Sequence, residues 1–525
     1  MSNIITKTKI FLSRKENIYF LTVFFISFLI HFCVSLIGWN NPLLDQHGFR
    51  QTQTAITTFY TVMEGFRLDY ITPVLGAPWS IPFEFPLYQW IVAIFVIIFK
   101  TPIDQTGRFV SLTFFYLSLL PLGLILKIYF KKISYVLIVL SFVLLNPIYL
   151  FWSRAYMIES LALFLGLLFV WLVIIALRTN KWLFIILAII VGSLSALVKI
   201  TTFFALGFSA GCVLLFYFYK DHGLNYIKYK VIGKYIIYVV LLFVIPVSTG
   251  FMWTKFADSQ KSLNPLAKNF ITSENLSGWN FGTLDQKLDI KTWIRVVEHS
   301  VLPETTFKSD KLSYSLIILL LLSITLFLFS KWRQKLELVS VLVLFLVGPL
   351  VFTNLYFVHS YYYFANNFFI SIIFGILVIS VCKRENLYIK YLGIVLIFPL
   401  LLVFNFFQYK DGYYYSSQIT NNYPLIKIAS VISEITSSED TIIVYGYDWD
   451  SSLPYYSKRK AIMNRGDMPI ENAIIQESIE NSGNIGALIM TNRSNEEFIN
   501  QQISKLGFKS EPYYSDGHTY IYVPR

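Results

Sequence analysis

Four side chains able to move a proton or bind an anion lie within seven residues in the sequence DQHGFRQ: Asp45, His47, Arg50 and Gln51. They follow an apolar run, residues 18–39, that is long enough to cross a bilayer. Charged groups crowded at the end of a membrane helix are seldom there for packing, because each must be held against a low-dielectric boundary. We expect Asp45 to act as a general base at the water interface. The structural alternative is a helix N-cap or an ion pair with Arg50.

Two further groups of charged residues stand at the ends of apolar runs. The sequence WSRAYMIES contributes Arg154 and Glu159, and SALVKITTFF contributes Lys199. Arg154 can be an interfacial anchor whose head group reaches water, but beside a carboxylate it more resembles part of an anion clamp. A lysine such as Lys199 costs a few kcal/mol in apolar surroundings unless it snorkels or meets an anion.

Glu84, in IPFEFPLYQW, lies between prolines that stiffen an extended loop. In VHSYYYFANN, His359 precedes three tyrosines that include Tyr362, and an aromatic belt at the membrane surface is the structural alternative for this group. Together, the acids and bases predict one outward-facing polar pocket in a helix bundle. Such a pocket suits a substrate with a phosphate head and a lipid tail.

The composition indicates a polytopic membrane protein, since 55% of the 525 residues are apolar and 14% are charged. The net charge of +12 lies mainly in short loops between apolar runs, where Lys and Arg report orientation and not a nucleic-acid partner. Cys33, Cys212 and Cys382 lie in or at the edge of apolar runs and define no disulfide framework. The sequence has no P-loop, no GxGxxG and no metal-ligand spacing of His or Cys.

Apolar runs of spanning length predict eleven transmembrane helices, near residues 18–39, 109–130, 133–150, 160–177, 183–199, 202–219, 235–253, 312–330, 336–356, 364–382 and 391–408. With the N-terminus inside, every short inside loop is basic. The first run carries no small-residue cleavage site and is predicted to be retained. Leu87 to Phe99 is too short to cross and is predicted to lie in the membrane interface.

Two domains are predicted: a transmembrane domain, residues 1–409, and an extracytoplasmic α/β domain, residues 410–525, where the composition becomes that of a soluble protein. In the second domain, residues 441–448, 487–491 and 518–523 read as strands. Residues 470–481 and 496–507 read as helices. The alternation predicts a small α/β layer.

The ordered set of motifs DQHGFRQTQTA, FEFPLYQWIVAIF, TGRFVSL, SRAYMIESLALF, LVKITTFF and HSYYYF resembles bacterial C-type glycosyltransferases, in particular the group of protein O-mannosyltransferases and lipid A aminoarabinose transferases. The resemblance covers roughly residues 15–405. It implies transfer of a sugar from a polyprenyl-phosphate carrier, such as undecaprenyl phosphate, to an acceptor on the outside of the cytoplasmic membrane of a bacterium.

The resemblance also implies roles for individual residues. Asp45 occupies the position of the presumed base, Glu159 matches the second acidic position, and Arg154 and Lys199 match basic positions. An acceptor hydroxyl deprotonated by Asp45 would displace polyprenyl phosphate with inversion. Cations would stabilise the departing phosphate. The sugar donor and its phosphate would be bound by residues from all of these motifs: Arg50, Gln51, Glu84, Arg154, Lys199, His359 and Tyr362.

Two positions depart from the family pattern. The Asp-Glu pair common in the first loop is Asp45-Gln46 here, which leaves one carboxylate at that place. Phe85 follows Glu84 where the aminoarabinose transferases carry lysine, which argues against that substrate. The implied scheme needs no cofactor or metal, although Asp45 with Glu159 leaves a divalent cation possible.

Two other classes remain open on the sequence. A lipid-linked oligosaccharide flippase or another transporter would show repeats and polar residues at mid-membrane, and neither is found in the sequence. A surface-polysaccharide polymerase shares the many spans and large outside loops, and the motifs separate it less cleanly. The sugar stays open, as does the acceptor, whether a cell-surface glycan, lipid A or a protein.

Overall fold

Helices make up most of the chain, and their boundaries follow from a few local signals. The computed structural model describes residues 2–222, 229–301, 323–324, 327–328, 330–420, 422–464, 468–491 and 496–525. The first helices are α1 (Ser2–Leu36), α2 (Gly48–Glu64), α3 (Leu87–Phe99), α4 (Ile103–Phe130), α5 (Ile133–Leu144), α6 (Pro147–Trp152), α7 (Glu159–Thr179), α8 (Trp182–Val198) and α9 (Ile200–His222). The next are α10 (Tyr229–Val239), α11 (Ile245–Lys261), α12 (Pro265–Phe270), α13 (Ser277–Phe281), α14 (Leu284–Leu288) and α15 (Ile290–Val301).

The later helices are α16 (Trp332–Val351), α17 (Thr353–Val358), α18 (Phe368–Cys382), α19 (Leu387–Leu392), α20 (Phe398–Tyr409), α21 (Pro424–Ile435), α22 (Ser452–Ser457), α23 (Ala473–Asn481) and α24 (Glu496–Lys505). A 3₁₀ helix covers Ser360–Ala365, and π-helical turns cover Val240–Val244, Gly393–Ile397 and Lys410–Gln418. The strands are β1 (Thr441–Tyr445), β2 (Lys460–Asn464), β3 (Ile485–Thr491), β4 (Tyr514–Ser515) and β5 (Thr519–Tyr522). The predicted class, a helical membrane protein with a small C-terminal α/β region, is confirmed.

Within the described residues, seven helices are long and apolar enough to cross a membrane: Glu16–Leu36, Ile103–Phe130, Glu159–Thr179, Ile200–Lys220, Gly233–Lys261, Trp332–Val351 and Leu387–Gln418. Three more predicted runs fall on shorter apolar helices: Ile133–Leu144, Trp182–Val198 and Phe368–Cys382. The run predicted at 312–330 lies almost wholly outside the described residues. The protein is a multi-pass membrane protein.

The run predicted at 133–150 is divided at Asn146. Pro147 has no N–H to continue α5, so it opens α6. The Asn146 side chain caps α6 by accepting a hydrogen bond from the Ile148 N–H at 3.0 Å. The break ends α5 early and turns the chain towards Arg154.

The chain divides into two compact units, and the first comprises Met1–Trp39, Ser111–Gly250 and Gly278–Thr420. Its core contains an aromatic cluster, in which the Tyr149 ring lies 5.3 Å from that of Phe115 and 4.9 Å from that of Phe364. Helix α7 packs against α8 and α9. A Cβ at Gly166 would overlap the Leu206 side chain, so glycine permits the close approach of α7 and α9.

The second unit comprises Asn40–Val110, Phe251–Ser277 and Asn421–Arg525. Its sheet has the strand order β2-β1-β3-β5-β4. Strands β2, β1 and β3 are parallel, and β5 is antiparallel to β3. All of β1 is buried, as expected of a parallel strand covered on both faces. The three predicted strands and two predicted helices are present, whereas β2 and β4 were not predicted from the sequence.

The segment between α2 and α3 extends this sheet at its β2 edge. The Ala461 and Met463 N–H groups donate to the Pro73 and Val74 carbonyls at 3.0 and 2.9 Å. The Asn264 amide donates to the carbonyl of Gly76 at 2.8 Å, which fixes the same loop to the second segment of the unit. One core therefore draws on all three segments. The division into domains at residues 409 and 410, and the position of α3 in the membrane interface, stay predictions.

Candidate active site

Asp45 lies in the non-helical segment that leads into α2, and its side chain is only 4% exposed. Its carboxylate accepts hydrogen bonds from the backbone N–H of Gln46 at 2.9 Å and from the Gln51 amide at 2.6 Å. The nearest guanidinium nitrogen of Arg108 lies 3.9 Å away. A buried carboxylate with two donors and a cation is held in one orientation, as a base that must meet a substrate proton has to be.

Arg108, on α4, is a residue that we did not select from the sequence. Its guanidinium is 1% exposed and donates to the backbone carbonyls of Asn41 and Pro42 at 2.6 and 3.3 Å. It therefore holds the backbone just before Asp45 as well as facing the carboxylate. The available signal was the arginine in TGRFVSL, a charge at the start of an apolar helix that has to be paired when buried.

Arg50 and Glu84 form an ion pair in the same unit. The Arg50 guanidinium donates to the Glu84 carboxylate and to the Gln53 side chain. The Tyr70 hydroxyl donates to the Glu84 backbone carbonyl at 2.9 Å, and burial raises the Tyr70 pKa, which keeps this donor protonated. The pair anchors the proline-flanked loop on α2, and Glu84 balances the Arg50 charge.

Glu159 and Lys199, in the first unit, also form an ion pair. The Lys199 ammonium donates to Glu159 Oε1. The Lys199 side chain is 7% exposed and the Glu159 side chain is 5% exposed. The ammonium lies 4.4 Å from the ring centroid of Tyr362 and 5.3 Å from that of Tyr361. The Glu159 carboxylate stands in the first turn of α7, where the helix dipole favours an anion.

Arg154 is buried in the short connection between α6 and α7, with 1% of its surface exposed. Its guanidinium donates to the Gly38 carbonyl at 3.2 Å and lies 5.6 Å from the Phe151 ring. A membrane-surface anchor would keep its head group in water. Arg154 does not, so its burial favours the interpretation as part of a site.

His359 precedes the 3₁₀ helix and stacks on Tyr361, with 5.2 Å between ring centroids. Tyr361 and Tyr363 are buried, at 6% and 0% exposure. A belt would present its rings to the membrane surface, so two of these tyrosines belong to the packed interior instead. Tyr362 is partly exposed and lies under Lys199.

The predicted site residues thus fall into separate groups. In one unit, Asp45 contacts Gln51, and Arg50 contacts Glu84. In the other unit, Lys199 joins Glu159 and Tyr362. Over the described part of the chain, no group of three or more His, Cys, Asp or Glu side chains is arranged to hold a metal ion.

Comparison with known proteins finds similarity in structure alone. No protein-family model matches the sequence, and no curated protein matches it. The archaeal oligosaccharyltransferase AglB from Archaeoglobus fulgidus, in complex with an inhibitory peptide and a dolichol-phosphate, aligns with a TM-score of 0.55 at 11% identity, over 90% of this chain and 69% of that one. In its apo form, the oligosaccharyltransferase of that organism gives a TM-score of 0.57 at 13% identity, with the same coverage.

ArnT from Cupriavidus metallidurans, bound to undecaprenyl phosphate, aligns with a TM-score of 0.56 at 10% identity. The alignment covers 94% of this chain and 97% of that one. Its extent includes both units of the present chain. The chain therefore shares its fold with these oligosaccharyltransferase and ArnT structures, as the motifs predicted.

Proposed function

We propose that this protein is a glycosyltransferase that moves a sugar from a polyprenyl-phosphate carrier to an acceptor at the outer face of a bacterial cytoplasmic membrane. The observation that carries the proposal is the buried Asp45 carboxylate, oriented by Gln51 and Arg108. The fold supports it, because the similar structures include an oligosaccharyltransferase with a dolichol-phosphate and ArnT with undecaprenyl phosphate.

Asp45 is the proposed general base. It takes the proton of the acceptor hydroxyl, the oxygen forms a bond to the anomeric carbon, and the bond from that carbon to the phosphate oxygen breaks. Polyprenyl phosphate leaves with the electron pair, and the configuration at the anomeric carbon inverts. Arg108, whose nearest guanidinium nitrogen lies 3.9 Å from the carboxylate, places a positive charge beside this base.

The leaving phosphate gains negative charge, so buried cations are the groups that lower this barrier most. We assign Arg154 and Lys199 to that task. Arg154 is 1% exposed, and a guanidinium presents several donors in a plane that matches phosphate oxygens. The Lys199 charge is balanced by Glu159, so we expect Lys199 to stabilise the leaving phosphate less than Arg154 does. We expect Glu159 to set the position of the Lys199 ammonium.

Transfer from a lipid-linked donor by the purified protein in nanodiscs is the direct test. Synthetic polyprenyl phosphates carrying different hexoses or pentoses are supplied with a membrane extract as the source of acceptors. Release of polyprenyl phosphate, followed by mass spectrometry, reports transfer without knowledge of the acceptor. We expect release from one donor class by the wild-type protein and almost none by Asp45→Asn.

Failure to release polyprenyl phosphate from any donor would contradict the proposal. The flippase alternative predicts a different result, which is measured after reconstitution of the same protein into sealed vesicles: the labelled donor changes leaflet with its sugar still attached. A polymerase predicts elongation of a lipid-linked glycan from a diphosphate carrier. Comparing cell-surface glycans with and without the gene then identifies the sugar and the acceptor.

A further inference from the structure

The short helix α22 contacts the segment that carries Asp45. At the beginning of that segment, the backbone N–H of Leu43 donates to the Tyr456 hydroxyl at 2.5 Å. The Tyr456 hydroxyl in turn donates to Oδ2 of Asp104 at 3.0 Å. Leu43 is fully buried, so its N–H depends on Tyr456 for a partner.

The residues just before and at the start of α22 hold the far end of the same segment. The Ser451 hydroxyl donates to the Phe49 carbonyl at 3.1 Å. The Thr52 hydroxyl lies 3.3 Å from that of Ser451 and 3.1 Å from that of Ser452. Residues 43 and 49 are therefore both held by residues 451–456, with Asp45 between them.

Asp104 connects this arrangement to Arg108. It accepts a second hydrogen bond, from the Tyr455 hydroxyl at 2.5 Å, and lies one helical turn before Arg108 on α4. Arg108 holds the carbonyls of Asn41 and Pro42 and faces Asp45. Two routes thus converge on the backbone around Asp45, one from α22 and one from α4.

We infer that Tyr456 and Asp104 are positioning residues for Asp45. Residues 451–456 of the C-terminal α/β segment act as a clamp: they hold residues 43–49, which carry Asp45, and so complete the catalytic site. The inference rests on the proposed function for its catalytic part. A misplacement of about 1 Å can cost roughly 10²-fold in rate, so loss of one clamp contact should be visible in turnover. Burial, and secondarily the Asp104 charge, raises the Tyr456 pKa, so the hydroxyl stays protonated and keeps donating to Asp104.

The first test needs no enzymatic activity. Hydrogen exchange of the full chain in nanodiscs is measured over the peptide that covers residues 42–50, for wild type and for Tyr456→Phe. We expect exchange there to accelerate by roughly tenfold or more, because the Leu43 amide loses its acceptor. Tyr445→Phe is the matched control, since it removes another tyrosine hydroxyl of the same unit, one that donates to Met468 at 3.1 Å.

The second test separates positioning from general stability by turnover. Tyr456→Phe should lower kcat by about tenfold, with KM for the lipid donor unchanged and Tyr445→Phe close to wild type. In an Asp45→Asn background, Tyr456→Phe should have no further effect, because it acts through Asp45. Asp104→Asn should behave as Tyr456→Phe does in both backgrounds.

The outcomes distinguish the inference from the proposed function. Unchanged exchange over residues 42–50 in Tyr456→Phe overturns the clamp, whatever the reaction is. An equal loss of kcat in the wild-type and Asp45→Asn backgrounds overturns the positioning role and leaves only a structural one. Absence of transfer by the wild-type protein overturns the proposed function instead, and the exchange result still decides on the clamp.

Discussion

The Lys199 ammonium donates a hydrogen bond to the Glu159 carboxylate, and the two side chains are 7% and 5% exposed. The two charges therefore form a neutral pair in the interior of a membrane protein. Removing one partner leaves an uncompensated charge, whereas removing both leaves none. This asymmetry provides a test that distinguishes a structural pair from a substrate contact.

We predict that Lys199→Met and Glu159→Gln each destabilise the protein by about 3–5 kcal/mol, because each leaves a buried charge without its counter-ion. The double variant should recover most of the loss. Thermal unfolding in detergent, followed by the fluorescence of the tryptophans, measures all three variants. Additive losses in the double variant would contradict the prediction, and recovery of stability without recovery of turnover would support a catalytic use of the pair.

Asp45→Asn should leave a folded protein with sugar transfer reduced by roughly 10²–10⁴-fold, because the amide cannot accept the proton. Size and much of the hydrogen bonding are preserved. Asp69→Asn is the control, since Asp69 lies in the same unit beyond α2, exposed and paired with Arg67. Transfer by Asp45→Asn within about threefold of wild type would rule out Asp45 as the base.

Arg108→Lys should impair the protein although it keeps the charge. Lysine cannot reproduce the two hydrogen bonds of the guanidinium to Asn41 and Pro42, so the segment before Asp45 loses its support. We expect kcat to fall by about tenfold or more, as for other small displacements of a catalytic group. Arg67→Lys, at an exposed ion pair, should behave as wild type, and equal kinetics for both variants would refute the role of Arg108.

Arg154→Ala should weaken use of the lipid donor. A buried cation that faces a leaving phosphate contributes on the order of 2–4 kcal/mol to the transition state, so kcat/KM for the donor should fall accordingly. Arg178→Ala, at the exposed end of α7, is the matched control. Near-normal kcat/KM in Arg154→Ala would assign Arg154 to packing through Gly38 and Phe151.

The predicted orientation can be tested by labelling from outside the cell. In a variant without Cys33, Cys212 and Cys382, a membrane-impermeant reagent should reach Asn280→Cys and should miss Lys234→Cys. Position 421, which the predicted topology also places on the outer side of the membrane, is not among the described residues. Labelling at position 234 in intact cells would overturn the assignment of the basic loops to the inside.

The sequence was sufficient to locate the charged residues that matter, but not to pair them. Asp45, Glu159 and Lys199 stand out because charge is expensive beside apolar runs. Their partners are set by tertiary structure: Lys199 meets Glu159 across 40 residues, and Asp45 in its non-helical segment faces Arg108 on α4. Arg50 pairs with Glu84, a partner that lies 34 residues further along the chain and that no local pattern indicates.

The sequence also predicted the long apolar helices of the described residues, two helices of the C-terminal segment and three of the five strands, because their periods and lengths are local properties. Strand β2 has no alternation of apolar and polar residues that would mark it, since four of its five residues are buried in a parallel pairing. The segment between α2 and α3 joins the same sheet through Pro73 and Val74. This pairing connects distant parts of the chain, and no local pattern encodes it.

The pairing of Pro73 and Val74 with Ala461 and Met463 places a constraint on biosynthesis. The ribosome makes the loop that carries Asp45 early and its sheet partners only after the intervening membrane helices. Contacts so distant along the chain form late, because the whole intervening stretch must be in place before they close. The same order applies to Ser451 and Tyr456, which contact Phe49 and Leu43 on either side of Asp45. During insertion the nascent chain therefore carries Asp45 without these contacts, and on the proposed function it becomes active only after the C-terminal segment has been made.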